Sequence, residues 1–308
     1  MRHRLSSWRA LFILPLFAAA LAVSGCAKDQ LTSPELVLEP TAGVIAPGQG
    51  ALDMASLTRT ENDALLDGCP RGAVPITGPT VINKPGAYRV VHDFSVDQAT
   101  GDGIVVRASG VLLWLGEHSI SGPGAKVGRG IVLENVRHVL VQGGRLESFG
   151  VGVALDGAKR CAVRGVEVAG ADEFANPSAG IPPQIGVLLV NSAYNRIARN
   201  ELHRINLGLF VRGGGSHDNV LRRNRVVGGV NGLLGVCYNP APGPGPEGPT
   251  NDDVAANTLS RFGKGIQASA GSANNRFVRN LIEYFSVAYE DLNGTNVFRH
   301  NQTVQITP

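Results

Sequence analysis

The chain of 308 residues has little charge, few aromatic residues and only four cysteines. Charged residues make up 17% of it, against about 25% in typical globular domains. The cysteines form no Cys-x-x-Cys pair, which excludes the common cysteine-based zinc and thioredoxin-like redox motifs. The apolar run of 14 residues from Ala10 to Val23 is too short, and too interrupted by Pro15, to span a bilayer comfortably.

The net charge also excludes one class of partner. Without Arg2, Arg4 and Arg9 of the N-terminal leader, Lys+Arg falls from 28 to 25, against 25 Asp+Glu. A balanced chain lacks the basic footprint of a nucleic-acid-binding protein. We therefore predict no nucleic-acid partner.

Residues 1–25 have the positive start and the apolar centre of a signal peptide. The segment Leu21–Cys26 resembles the lipobox of bacterial lipoproteins, which implies lipidation of Cys26 and a stable membrane anchor in the cell envelope. Ala27 follows this cysteine in place of Asp, which in that family implies transport to the outer membrane. An ordinary secretory cleavage site is the alternative.

The remaining chain divides into three parts. Residues 26–50 are predicted to form a tether, residues 51–73 an N-terminal cap helix and linker, and residues 74–308 the main domain. The other cysteines, Cys69, Cys161 and Cys237, are expected to be isolated buried thiols, with one disulfide as the alternative.

Two elements repeat in the main domain. A glycine followed by alternating side chains recurs at steps of 27, 22, 34, 22, 24 and 33 residues, and the extra residues predict loops on a constant period. These glycines are Gly103, Gly130, Gly152, Gly186, Gly208, Gly232 and Gly265. A second, asparagine-bounded element superposes residue for residue in Asn195–Asn200, Asn219–Asn224, Asp252–Asn257, Asn275–Asn280 and Asn296–Asn301. Stacked coils place such amides in line, where they can bond to one another.

The repeats predict an all-β parallel solenoid of about eight or nine coils. Residues 74–305 resemble the right-handed parallel β-helix family of the pectate lyases, and Lys84–Tyr88 and Val111–Gly122 resemble its first strands. The resemblance implies a scaffold shared by lyases, hydrolases, epimerases and phage fibres, and the polygalacturonase and epimerase signatures are missing. A periplasmic copper-maturation branch exists, but two methionines and dispersed histidines offer few copper ligands.

The strands that follow the glycines are expected to carry the site. Their second residue points outward and is mostly apolar: Val105, Val132, Ala154, Leu188, Phe210, Leu234 and Gln267. Two insertions, 171–184 and 238–251, flank this column, so Phe210, Leu188 and Leu234 are predicted to bind a glycan between them. Alternatively, the insertions or residues 27–67 cover these side chains.

Polar residues near this column are candidates for chemistry. A polyuronate lyase needs a base and a cation, which Arg212, His217 and Asp252 could supply, while Asp172, Glu173 and Asp253 offer oxygen ligands to Ca²⁺. Each also has a structural interpretation, because turn and ladder positions use the same residue types.

A third column is basic. Arg199, Arg223 and Arg279 share one repeat position and predict either a solvated mixed-charge face or a track for an anionic glycan. Together these observations predict an envelope-anchored, non-catalytic protein that binds a polysaccharide or surface glycan or has a structural role at the surface. A polysaccharide lyase that acts on an acidic glycan between the two insertions is the alternative.

Overall fold

The structure is a computed structural model that describes residues 72–97, 101–124, 127–171, 183–229, 232–239, 248–292 and 294–305. The predicted signal peptide, tether and most of the cap lie outside these residues, as do Cys26, Cys69, Asp172 and Glu173. Within the described ranges there is no helix that could span a membrane.

The described residues form 24 short strands, and every pairing between them is parallel. In chain order they are β1 (Val74–Ile76), β2 (Thr80–Ile82), β3 (Gly86–Val90), β4 (Phe94–Ser95), β5 (Ile104–Val106), β6 (Val111–Ser121), β7 (Arg129–Glu134), β8 (Leu140–Glu147), β9 (Val151–Asp156), β10 (Ala162–Arg164), β11 (Glu167–Ala169), β12 (Ile185–Val190), β13 (Arg196–Ala198), β14 (Glu201–Ile205), β15 (Leu207–Arg212), β16 (Val220–Arg222), β17 (Arg225–Gly228), β18 (Leu234–Asn239), β19 (Asp253–Ala255), β20 (Thr258–Ala268), β21 (Arg276–Val278), β22 (Leu281–Asp291), β23 (Val297–Arg299) and β24 (Gln302–Val304).

These strands stack into three faces of a solenoid of about eight turns. Face 1 contains β2, β5, β7, β9, β12, β15, β18 and the second halves of β20 and β22. Face 2 contains β1, β3, the first halves of β6 and β8, and then β10, β13, β16, β19, β21 and β23. Face 3 contains β4, the second halves of β6 and β8, β11, β14, β17, the first halves of β20 and β22, and β24. The predicted all-β parallel solenoid is confirmed.

A column of glycines begins the strands of face 1, because consecutive coils approach too closely there for a side chain. A Cβ atom on Gly130 would lie 2.6 Å from the carbonyl oxygen of Gly152, and one on Gly152 would lie 2.7 Å from that of Gly186. Real Cβ atoms essentially never come so close, so this column must be glycine.

One member of this column was predicted wrongly. The register pairs Phe210 with Cys237, so the column contains Gly235 and not Gly232. Leu234 therefore lies one residue before the column glycine, in register with Leu207 and Lys264. Gly232 and Gly235 are both followed by an apolar residue, so the sequence pattern fits either glycine. Only the contacts with the neighbouring coil determine which of the two lies in the column.

Two ladders of buried amides join the coils on either side of face 2. In the second ladder, Asn200 Nδ2 donates to Asn224 Oδ1 at 3.0 Å, and the same bond repeats at 3.0 Å to Asn257, Asn280 and Asn301. The predicted alignment of these asparagines is confirmed. The first ladder contains Asn195, Asn219, Asp252, Asn275 and Asn296.

Inward side chains of all three faces form one apolar core. Leu202, Val226, Leu259 and Ile282 align on successive coils as predicted, and all are at most 1% exposed. Cys161 and Cys237 are buried free thiols, as expected for isolated cysteines. Burial raises the pKa of Cys161 to about 11 and that of Cys237 to about 12, so neither is a thiolate near neutral pH.

Candidate functional site

The residue type at the corner between face 2 and face 3 changes along the solenoid. From the coil of β6 onward the corner residue has a positive φ, for example 72° at Gly143, 63° at Gly165, 57° at Arg199 and 55° at Arg223. The first coils therefore have glycine where the later coils mostly have arginine. Because glycine has no side chain, the first coils leave open space at this corner.

Trp114 lies beside that space. Its half-buried indole packs on the backbone of Gly116, since a Cβ there would lie 3.1 Å from Trp114 Nε1. At Gly165 the nearest atom to an added Cβ is 4.0 Å away, so the corner is open. We name the resulting cavity the Trp114 groove; it has a volume of about 310 Å³. Its lining residues are Trp114, Gly116, Glu117, Gln142, Gly143, Arg164, Gly165 and Arg199.

Polar groups are fixed along the groove. Gln142 is 5% exposed, and its Oε1 accepts hydrogen bonds from Arg164 Nε at 3.1 Å and Nη2 at 2.8 Å. Register explains this contact, because Trp114, Gln142 and Arg164 occupy the same outward position on three successive coils. The groove thus combines an aromatic surface with a guanidinium whose orientation is held by a buried amide.

A second, more polar lobe continues the groove over face 3, with a volume of about 550 Å³. Glu167 Oε1 lies 2.7 Å from His203 Nε2 and 3.2 Å from Arg145 Nη1. Glu167 and Glu201 occupy the same position on adjacent coils, and Glu201 pairs with Arg225 at 2.7 Å. The lobe is therefore lined by acidic and basic groups, and the imidazole of His203 contacts one of its carboxylates, Glu167.

Face 2 beyond the groove is strongly basic. We define the arginine face as β10, β13, β16, β19, β21 and β23 together with the corner residue after each strand. Its charged side chains are Arg164, Arg196, Arg199, Arg222, Arg223, Arg276, Arg279, Arg299 and one carboxylate, Asp253. The predicted column of Arg199, Arg223 and Arg279 is part of this face, with Ala256 between the last two.

The predicted apolar column on face 1 is confirmed apart from Leu234. Leu188 and Phe210 are half-buried, and Cys237 is 4% exposed beside them. Val105, Val132 and Ala154 form a separate, nearly fully buried cluster on the same column. The Trp114 groove lies at another edge of the solenoid, the corner between face 2 and face 3.

The structure places Arg212, His217 and Asp252, the predicted catalytic residues, in three different environments. Arg212 ends β15 on face 1, whereas His217 Nδ1 pairs with Asp218 Oδ2 at 2.7 Å on the next corner. Asp252 is 1% exposed and belongs to the first ladder, where Oδ1 accepts from the backbone nitrogen of Asn219 at 2.6 Å. Its carboxylate therefore faces the interior, away from any ligand on the surface.

The described residues provide no metal cluster. Asp253, a predicted Ca²⁺ ligand, pairs with Arg222 and lies 4.0 Å from Arg276 on the arginine face. No group of three or more His, Cys, Asp or Glu side chains in the described part of the chain could hold a metal ion.

The Trp114 groove was not predicted from the sequence, because the expected site was based on the glycines that begin the strands. The available signal was the absence of the Asn-bounded element before residue 195, where Gly143 and Gly165 occupy the corner. Trp114, Gln142 and Arg164 are far apart in sequence, and only the stacking register makes them neighbours.

The chain is similar to several solved structures at low sequence identity. The alginate lyase from Paenibacillus sp. str. FPU-7 is 13% identical, with a TM-score of 0.43, and the alignment covers 73% of this chain and 92% of the lyase. The Dettilon tailspike protein is 12% identical, with a TM-score of 0.37 and coverages of 74% and 56%. A comparison with curated proteins gives no match. The profile of the family described as periplasmic copper-binding protein (NosD) matches residues 97–307, so the chain belongs to the NosD family.

Proposed function

We propose that this protein is an exported, envelope-anchored module that binds a glycan in the Trp114 groove without changing it chemically. The observation that carries the proposal is an indole beside open glycine corners, next to a guanidinium held by a buried amide. Aromatic faces pack well on the C–H faces of sugar rings, and fixed polar groups select the hydroxyl pattern. The lipobox-like segment ending at Cys26 supports the envelope location.

The family description names copper, and the described residues do not fit copper. Copper sites need clustered imidazole, thiolate or thioether ligands. The two described cysteines are buried, and no described histidine belongs to a group of three or more His, Cys, Asp or Glu side chains that could hold a metal ion. The proposed function therefore involves no metal ion.

A glycan array probed with the full-length chain tests the proposal. Trp114→Ala removes the aromatic surface, and we expect it to weaken binding by at least about tenfold, as for an interface hot spot. Gly165→Asn places a side chain in the groove at a corner where the next coil already has Arg199 with a similar φ. It should therefore block binding while leaving the thermal midpoint near that of the wild type.

Two variants serve as matched controls. Gly294→Asn changes another glycine of positive φ, 69°, that has no atom within 4 Å of an added Cβ. Tyr284→Ala removes an aromatic side chain that is 50% exposed on a distant coil. If either control weakened binding as much as the groove variants, or if no glycan on the array were bound, the proposed function would be wrong.

The contacts of Glu167 with both His203 and Arg145 favour a second candidate, a polysaccharide lyase beside the polar lobe. His203 could take the C5 proton of a uronate while Arg145 neutralises its carboxylate. A C4=C5 double bond then forms as the C4–O bond breaks, and the leaving oxygen takes a proton from solvent. Ultraviolet absorbance of the unsaturated product, measured over a panel of uronate polymers, would detect this reaction. If the wild type produced this absorbance and His203→Ala did not, the function would be catalysis and not binding alone.

A further inference from the structure

We propose that the ligand of the Trp114 groove is a linear acidic polysaccharide, and that its chain continues from the groove along the arginine face. This inference rests on the proposed function and adds the charge and the path of the ligand. It follows from how the structure distributes charge, which the composition does not reveal.

Positive charge is concentrated on the arginine face. Its described residues include eight arginines and one carboxylate, Asp253, which is already paired with Arg222. Without its leader the chain has equal numbers of basic and acidic residues, so this excess must be balanced elsewhere.

The other two faces balance their charges locally. On face 1, Arg129 pairs with Asp102 at 2.6 Å, Arg107 with Glu134 at 2.8 Å, and Lys264 with Glu290 at 2.6 Å. On face 3, Arg225 pairs with Glu201 and Arg145 with Glu167. The excess of arginine is therefore a property of one face.

The pKa of Arg196 reflects the positive charge of the arginine face. Burial lowers its pKa, and the charges of Arg222, Arg199 and Arg223 lower it further. Like charges one coil apart, about 4.8 Å, repel each other in the free protein. The negative charges of a bound polyanion would offset this repulsion, and that would favour binding.

The surface between the arginines suits an extended chain. Small side chains, Ala198, Ala255 and Ala256, separate the guanidinium groups along the coil axis. The two aromatic residues in its strands, Phe277 and Phe298, pack in the apolar core instead of on the surface, whereas single-stranded nucleic acids are bound on repeated exposed aromatic platforms. The arrangement favours a polymer recognised by its carboxylate or sulfate groups.

Polygalacturonate and its fully methyl-esterified form provide a matched pair of probes, because they share a backbone and differ in charge. We expect the full-length chain to prefer the charged polymer in calorimetry, with a preference that falls as salt rises. Equal affinity for the two polymers would overturn the acidic ligand and leave glycan binding in the groove intact. Binding of neither polymer would overturn the inference, and the glycan array then decides the proposed function separately.

Variants separate the two parts of the ligand path. Arg223→Asn and Arg279→Asn keep a residue type that tolerates positive φ, and each should lower affinity for the charged polymer about two- to fivefold. Their affinity for the esterified polymer should not change, whereas Gly165→Asn should weaken both. If the two arginine variants bound the charged polymer as the wild type does, the track would be excluded.

Arg196→Gln distinguishes ligand binding from a structural role. Removing one of four mutually repelling cations should raise the thermal midpoint while it lowers affinity for polygalacturonate. A structural arginine would lower both. A DNA oligonucleotide that bound more tightly than polygalacturonate would show that the face recognises a different polyanion and would overturn the glycan assignment.

Discussion

Asp252 is the one acid in a ladder of amides. Asn195, Asn219, Asn275 and Asn296 fill the equivalent positions and each uses Nδ2 as a donor, which a carboxyl group lacks. Asp252 Oδ2 and the Tyr238 hydroxyl are both buried, and the two side chains interact with each other. Burial raises the pKa of Asp252 from 3.8 to about 7, against the opposing effect of the Asn219 hydrogen bonds.

This pKa predicts a pH-dependent stability. The folded chain keeps the proton up to about pH 7, while the unfolded chain releases it near its ordinary pKa of 3.8. The free energy of unfolding contributed by Asp252 therefore falls as pH rises from about 4 to about 7 and is constant above that range. We expect Asp252→Asn to remove this slope and to stabilise the protein at pH 8, measured by urea denaturation across pH.

The second ladder supplies the control for this prediction. Asn224→Asp places an acid at an equally buried position, 1% exposed, and should add a pH dependence of the same sign. A wild-type slope that persists in Asp252→Asn would show that another group causes it.

Among the elements, the glycine column sets the distance between coils on face 1. Gly130→Ala would place a Cβ 2.6 Å from the carbonyl oxygen of Gly152 and 3.1 Å from Leu146 Cδ1, so a backbone atom must move. We expect a destabilisation of about 1–3 kcal/mol, the usual cost of overpacking, seen as a lower urea midpoint. Gly78→Ala, with no atom within 4 Å of the new Cβ, should leave the midpoint unchanged. Equal effects of the two variants would contradict the close-approach explanation.

Strand patterns were more predictable than strand register. The alternation after Gly103, Gly130 and Gly152 identifies inward and outward positions because each strand has one apolar interior side. The same alternation does not distinguish Gly232 from Gly235, since both precede apolar residues. Which glycine lies in the column depends on the coil beneath it, and that is a tertiary contact.

At the scale of the whole molecule, each coil is stabilised mainly by its two neighbours. Terminal coils have one neighbour, and their strands are more exposed: β24 is exposed throughout, whereas β9 has four buried residues in succession. We expect amide hydrogen exchange to be slowest in β9, β12 and β15 and fastest in β24 and β1. Uniform protection along the chain would show a single cooperative unit and would contradict this nearest-neighbour description.

The candidate site could be predicted only in part. Arg199, Arg223 and Arg279 were identifiable from the repeat because they follow the same strand position on related coils. Trp114 and Gly165 were not, because the coils that contain them lack the Asn-bounded element, so no repeat aligned them with each other.

The sequence predicts the solenoid, its period and its two amide ladders, because glycine-led strands recur along the chain and the Asn-bounded element recurs on the later coils. It also determined the overall balance of charge. The tertiary structure alone decided where that charge lies and where the groove opens, since stacking brings Trp114, Gln142 and Arg164 from three separate segments into one row. Register between coils is a long-range property, and no local pattern specifies it fully.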